Sequence, residues 1–242
     1  MMKKIFIQLV VFSGLLFTSC STDTDNVSKV TNYPVLELNG EEEIIIPLGG
    51  TYNDEGIIAT EDGVEIPYTT KVTGTLRGGS TVDTNKADIY SVSYSAINKD
   101  GFPGTITRKV IVVDNGDLVT SIAGLYRSTC TRNGVLTAQY TDMEYVLIWK
   151  NANGTYQISD GIGLYYAVGR AYGDTYLATP VIVTANSIPA NNYTISPFTV
   201  GTFGGNCIMS GLNANPANST VSFSTVWDSG FTFDVVLNKV QI

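Results

Sequence analysis

The sequence predicts an all-β protein made of two successive parts. Three observations carry this. Beyond an apolar opening run, residues rich in Val, Ile, Thr and Tyr alternate with polar ones. Turns of Gly, Asn and Asp interrupt them at intervals of about eight to twelve residues, the spacing of sandwiches and barrels. No stretch after the opening run has apolar residues at a helical period.

The opening run is the first element. Lys3 and Lys4 precede an apolar segment from Ile5 to Phe17, and "FTSC" ends at Cys20. This is the pattern of a signal peptide, too short for a spanning helix of about 20 apolar residues. Residues 1–19 are therefore expected to be removed. Thr18-Ser19-Cys20 resembles the bacterial lipobox, with Phe17 where leucine is usual. The resemblance implies lipidation of Cys20 and outer-membrane lipid as a partner; an ordinary secretory signal with an incidental cysteine is the alternative. The small polar residues of 20–33 cannot offset their ordering entropy by burial and predict a flexible tether. Asp23 and Asp25 resemble the acidic export signals of Bacteroidota lipoproteins, which implies an outer-membrane location with cell-surface exposure.

Charge divides the remainder. The chain of 242 residues has 22 acidic and 14 basic side chains, a net charge of −8. Sixteen of the acids and nine of the bases precede residue 119, so the second half is nearly neutral. Two domains explain this asymmetry, 34–114 and 118–242, divided at the turn formers Asp114, Asn115 and Gly116. An acidic chain without a basic cluster does not suit nucleic acid, where Lys and Arg contacts to phosphate dominate. The absence of histidine excludes a Ser-His-Asp triad, a Cys-His dyad and any His-ligated metal. Paired carboxylates could still hydrolyse a glycosidic bond, yet the second half holds only Glu144 and five scattered aspartates. No catalytic residue, metal or cofactor is expected, and the chain is read as a non-enzyme.

In the first half, "EEIIIPL", "YTTKVTG", "DIYSVSYSAIN" and "TRKVIVV" predict strands. The third places Tyr90, Val92, Tyr94 and Ala96 on one face and Ser91, Ser93 and Ser95 on the other, one buried and one wet. Tyr90 stands two residues before Val92, the placement of a tyrosine corner in an immunoglobulin-like sandwich without its intersheet disulfide. "GGTYNDEGIIATEDG" resembles the bacterial Ig-like domains of surface proteins, with Tyr52, Asp54, Gly56, Ala59, Asp62 and Gly63 in place and Glu55 where proline is usual. That resemblance implies an N-terminal Ig-like β-sandwich serving as spacer or adhesion module.

The second half predicts about eight strands: "LYRSTCT", "MEYVLIWK", "TYQISD", "IGLYYAV", "YLATPVIVT", "NCIMSGL", "TVSFSTVW" and "FTFDVVLNKV". "NANG", at 151–154, is the clearest hairpin turn. Short links favour an antiparallel β-meander, with barrel or sandwich left open. "GLYRS", "GTYQISDGIGLYYAVGRAYGDTY" and "SFSTVWDSGFTFDVVLNKV" resemble the C-terminal domain of Bacteroidota surface lipoproteins found with polysaccharide-utilisation systems. The resemblance implies neighbouring glycan-uptake proteins and no reaction.

"GIGLYYAVGRAYGDTY", at 161–176, is the candidate binding segment. Read as a strand from Ile162 to Val168, it buries Tyr166 and leaves Tyr165 open between small residues. Arg170, Tyr172, Asp174 and Tyr176 follow in a Gly-punctuated loop. Such a set suits a sugar, whose C–H face lies on an aromatic ring while Arg and Asp bind its hydroxyls. The competing reading is structural, because tyrosine favours strands and glycines serve turns. Trp227 is expected in the core, and Trp149, at a strand end, could edge the binding surface. Cys130 and Cys207 are either a disulfide formed on export or two separate buried thiols. The expected function is glycan binding in support of polysaccharide uptake; the alternative is a structural or protein-binding accessory with no sugar ligand.

Overall fold

A computed structural model describes residues 30–242, about half of them in strands and few in helical turns. The expectations for residues 1–29, including the signal peptide, Cys20 and most of the tether, lie outside the described residues. Residues 33–242 form one compact unit.

Two sheets make the first part. β1 (Val35–Leu38), β3 (Ile57–Glu61) and β4 (Val64–Glu65) form one. β2 (Glu43–Pro47), β7 (Pro103–Val113), β6 (Asp88–Ile97) and β5 (Tyr68–Gly74) form the other, in that order. β2 runs parallel to β7, and the other pairs are antiparallel. The alternation in β6 is realised: Tyr90, Val92, Tyr94 and Ala96 are buried against Ile46, Ile57 and Ala59. The Tyr90 hydroxyl donates to the carbonyl oxygen of Asp83 at 3.1 Å, which is the tyrosine corner.

Arg108, on β7, is fully buried. Its Nη1 donates to Asp54 Oδ1 at 2.8 Å and to the Tyr94 hydroxyl at 3.1 Å, and its Nε to Glu41 O at 2.9 Å. Buried charges persist only when paired and hydrogen-bonded, and this one ties the 39–41 turn and the Asp54 loop to the sheet.

The second part is one antiparallel sheet of ten strands curled around its own core. In chain order these are β8 (Gly124–Arg132), β9 (Met143–Lys150), β10 (Tyr156–Ile158), β11 (Ala178–Thr179) and β12 (Val181–Ser187). β13 (Asn192–Ile195), β14 (Phe198–Val200), β15 (Gly204–Asn215), β16 (Thr220–Trp227) and β17 (Phe231–Lys239) complete it. The order across the sheet is β11-β14-β15-β16-β17-β8-β9-β10-β12-β13. The curl returns the loop before β13 to β15, where Asn191 Oδ1 accepts the Ala214 N–H at 2.7 Å. The 151–154 turn forms as expected, with Gly154 at φ +85°.

β9 explains how the two parts meet. Tyr145, Leu147 and Trp149 leave the curled core and pack with Leu125 against Ala87, Ile111 and Val113 of the Ig-like part. Val146 and Ile148, on the opposite face, fill the second core. A strand buried on both faces reads as a continuous apolar run, and "YVLIW" is one. The face of β6 and β7 expected to be wet is therefore partly covered.

One expected strand is absent. Ile162–Val168 forms tight turns and then a π-helical turn, Tyr165–Gly169.

Candidate functional site

Asp160 sets the path of the segment from Gly161 to Tyr176. Its carboxylate is fully buried, accepting the Ile162 N–H at 2.7 Å on Oδ1 and the Ala178 N–H at 3.2 Å on Oδ2. Burial pushes this carboxyl up to about 6, and the backbone N–H bonds oppose the shift. The loop is fastened at two further points: Thr225 Oγ1 donates to Gly161 O at 2.6 Å, and Ser128 Oγ donates to Gly163 O at 2.9 Å. A Cβ at Gly161 would lie 2.4 Å from the Phe198 ring, and Gly163 sits at φ +64°, so both positions require glycine. The Val168 and Gly169 N–H groups then converge on Leu164 O at 3.1 and 3.0 Å. Such single π-turns are frequent at functional sites.

This geometry corrects the strand parity. Tyr165 and Tyr166 both point inward, at 3% and 6% exposure. Tyr165 is therefore not an open platform: its ring stacks on Tyr140 at 4.1 Å and meets the edge of Phe233 at 5.3 Å. Burial, then the hydrogen bond to Tyr140, pushes its hydroxyl up to about 12. Tyr166 belongs to the core, as expected, between Trp227 and Phe203.

The loop beyond the π-turn does reach solvent. Tyr172 is 43% exposed and lies 6.1 Å from Tyr166, in a stacked orientation. Tyr176, partly buried, sits 5.2 Å from Tyr172 and 4.8 Å from Phe203, which is 47% exposed on the turn before β15. Trp227 supports Phe203 from below at 6.0 Å. Aromatic pairs in such edge and offset arrangements hold one another in place. The result is an exposed aromatic face made of Tyr172, Tyr176 and Phe203. Arg170 and Asp174 are exposed on the same loop.

A cavity of about 470 Å³ is lined by Arg132, Asn133, Thr137, Gln139, Tyr140 and Tyr165 among others. Arg132 lies over the rings of Tyr165 and Phe231, at 5.0 and 4.7 Å. From the loop, Arg170 Nη1 donates to the Tyr140 hydroxyl at 3.3 Å. A second cleft, of about 260 Å³, has the apolar residues Leu76, Ile89, Leu164 and Leu177 with Lys109 and Glu144 in its wall.

One other expectation is corrected, and the two readings of the cysteines are resolved in favour of separate buried thiols. Trp149 edges no binding surface: it is 2% exposed in the seam between the two parts, with its Nε1 donating to Asn151 Oδ1 at 3.1 Å and Arg77 over its ring. Cys130 and Cys207 are free thiols. They lie on β8 and β15 with β16 and β17 between them, beyond the reach of an S–S bond. Burial pushes both up, Cys207 to about 12. Phe203, Arg132 and Tyr140 were missing from the residues chosen by sequence. Phe203 alone had a signal, an aromatic isolated among glycines in "VGTFGG".

Among the described residues no group of three or more His, Cys, Asp or Glu side chains could hold a metal. Likewise, none of the described helices is long and apolar enough to cross a membrane.

Residues 36–112 match the family model of the bacterial surface protein Ig-like domain, and residues 115–239 match a C-terminal-domain family model. Among solved structures the chain is similar to the lipoprotein BT2262 from Bacteroides thetaiotaomicron, at 26% identity and a TM-score of 0.64. The likeness covers 86% of this chain and all of that one. The chain belongs to the family whose C-terminal-domain model matches residues 115–239, here preceded by a bacterial surface protein Ig-like domain. No curated protein matches it. The family matches account for both folded parts, while the aromatic side chains on the 170–176 loop and the 201–203 turn are features of this chain.

Proposed function

We propose that this protein is a lipid-anchored, non-catalytic glycan-binding protein of the outer membrane. In this reading Cys20 carries the lipid, the Ig-like domain is a spacer, and the second domain captures oligosaccharide for neighbouring uptake proteins. The supporting observation is the aromatic cluster of exposed Tyr172 and Phe203 with half-buried Tyr176, on a loop that also exposes Arg170 and Asp174, the latter in the wall of the 260 Å³ cleft. Aromatic rings offer a flat apolar surface to a sugar's C–H face, and the charged pair supplies hydrogen bonds in the plane of the hydroxyls. The support beneath the rings matters, because side chains already ordered lose less entropy on binding.

The test is an affinity gel series over plant and host polysaccharides, comparing the native protein with a Tyr172→Ala/Phe203→Ala double variant. Retardation by at least one polymer, weakened about tenfold or more in the variant, is expected. Unchanged migration on every polymer would refute glycan capture.

A second reading, an accessory that binds another surface protein, is favoured by one feature. Ile208 and Val226, neighbours across β15 and β16, are 57% and 53% exposed on the outside of the curled sheet. Val226→Asp should then abolish co-purification of a partner, with no retention of either protein on any polysaccharide gel.

A further inference from the structure

The 470 Å³ cavity has Arg132 as the charged residue of its wall, in a chain whose net charge is −8. Of the five arginines in the two domains, Arg108 and Arg127 are paired with carboxylates, and Arg77 lies over Trp149 and donates to Ala87 O in the seam. Arg132 and Arg170 have no ion-pair partner among the described residues, and Asp174, on the same loop, pairs with neither. Both guanidiniums face the same stacked tyrosines: Arg132 lies over the Tyr165 ring, and Arg170 donates to the Tyr140 hydroxyl. Their combined positive field, after the hydrogen bond from Tyr165, holds the Tyr140 hydroxyl below its ordinary range despite burial. Packing on Tyr165 and Phe231 fixes the plane of Arg132, so its N–H fork is oriented before any ligand arrives. A planar guanidinium with unused donors matches the two oxygens of a carboxylate. Asn133, Thr137 and Gln139 give the wall polar groups suited to hydroxyls around that anion.

We infer that this cavity binds the carboxylate of an acidic ligand, a uronate residue of the captured glycan, at Arg132 in its wall, with Arg170 adding positive charge through its contact with Tyr140. The inference rests on the glycan reading for the source of the carboxylate, while the anion site itself rests on the two arginines. The aromatic face would hold other sugar units of the same glycan.

Titration calorimetry at physiological salt would compare trigalacturonate, its methyl ester, and a tripeptide with free or amidated C-terminus. The proteins are the native chain, Arg132→Gln and Arg170→Gln. Trigalacturonate is expected to bind about tenfold to a hundredfold more tightly than its ester, the range of a charge-assisted hydrogen bond. Each arginine variant should shrink that preference, and added salt should weaken the acid more than the ester. Arg170 is exposed, so its variant keeps the test valid if loss of Arg132 perturbs folding. Equal binding of acid and ester, or a preference that both variants leave intact, would overturn the carboxylate site and leave glycan capture standing. Arginine-dependent binding of the free tripeptide with no binding of either sugar would retain the anion site and overturn the uronate. Binding of none of these probes would overturn the inference.

Discussion

Replacing Arg108 with methionine is expected to destabilise the Ig-like domain by about 3–5 kcal/mol, the range for breaking a buried ion pair. The structure places the loss toward the lower end. The Arg108 side chain is fully buried, but that of Asp54 keeps 33% of its surface in solvent, so its carboxylate can rehydrate when the guanidinium is gone. What cannot be recovered as readily is the set of acceptors around the guanidinium: the carbonyls of Asn39 and Glu41 and the Tyr94 hydroxyl. Each buried group left unpaired costs about 1–3 kcal/mol. The turn bearing the two carbonyls is near the surface, which lets water take part of the burden. Urea unfolding followed by far-ultraviolet circular dichroism measures the loss. Trp149 fluorescence provides a second probe, because that ring packs in the seam with Ile111 and Val113 of the same domain. A loss below about 1 kcal/mol would refute the claim that the guanidinium fastens the Asp54 loop.

Three further outcomes follow from geometry. Asp160 has its carboxyl raised from 3.8 to about 6, so the folded state holds the proton more tightly than the unfolded chain does. Its contribution is fully present below about pH 4 and is lost as pH rises through about 6, a change on the order of 3 kcal/mol. Urea midpoints of the native protein should fall across that window relative to Asp160→Asn; parallel pH profiles would contradict the buried carboxylate. Trp149→Ala should cost about 3–5 kcal/mol as a large-to-small core change and split the calorimetric transition in two, whereas a single unshifted transition would show the seam to be unimportant. A thiol reagent should find Cys130 and Cys207 unreactive in the native second domain and both reactive after denaturation without reductant; absence of that pair of thiols would mean they are bridged.

Much of the fold was legible because strand alternation reports burial directly. β6 is the clearest case: its inward Tyr, Val, Tyr and Ala and outward serines stand where the pattern placed them. The same logic misread Ile162–Val168, since a run of large and small residues resembles a half-buried strand even when the backbone curls. The clue lay just upstream, in "SDGIG": an aspartate followed by two glycines can bind the next N–H groups with its own carboxylate, as Asp160 does. Tyr165 was misplaced as a consequence of that error. Trp149 failed for another reason. Both faces of β9 are apolar, and alternation cannot tell a strand covered by a neighbouring domain from one bordering a ligand. Arg108 occupies an inward position of β7 with Val110 and Val112, but a cation there becomes intelligible only once Asp54, distant in sequence, is brought beside it.

The parallel pairing of β2 with β7 bears on mechanical load. Five residue pairs, from Glu43 with Lys109 to Pro47 with Val113, join the start of the Ig-like domain to its end. In a parallel ladder, tension applied at the beginning of one strand and the finish of the other strains all those pairs together, where an antiparallel hairpin pulled from one side would yield rung by rung. A current dragging on a polymer held by the distal domain would therefore meet a clamp loaded in shear, and the first rupture should fall elsewhere in the chain.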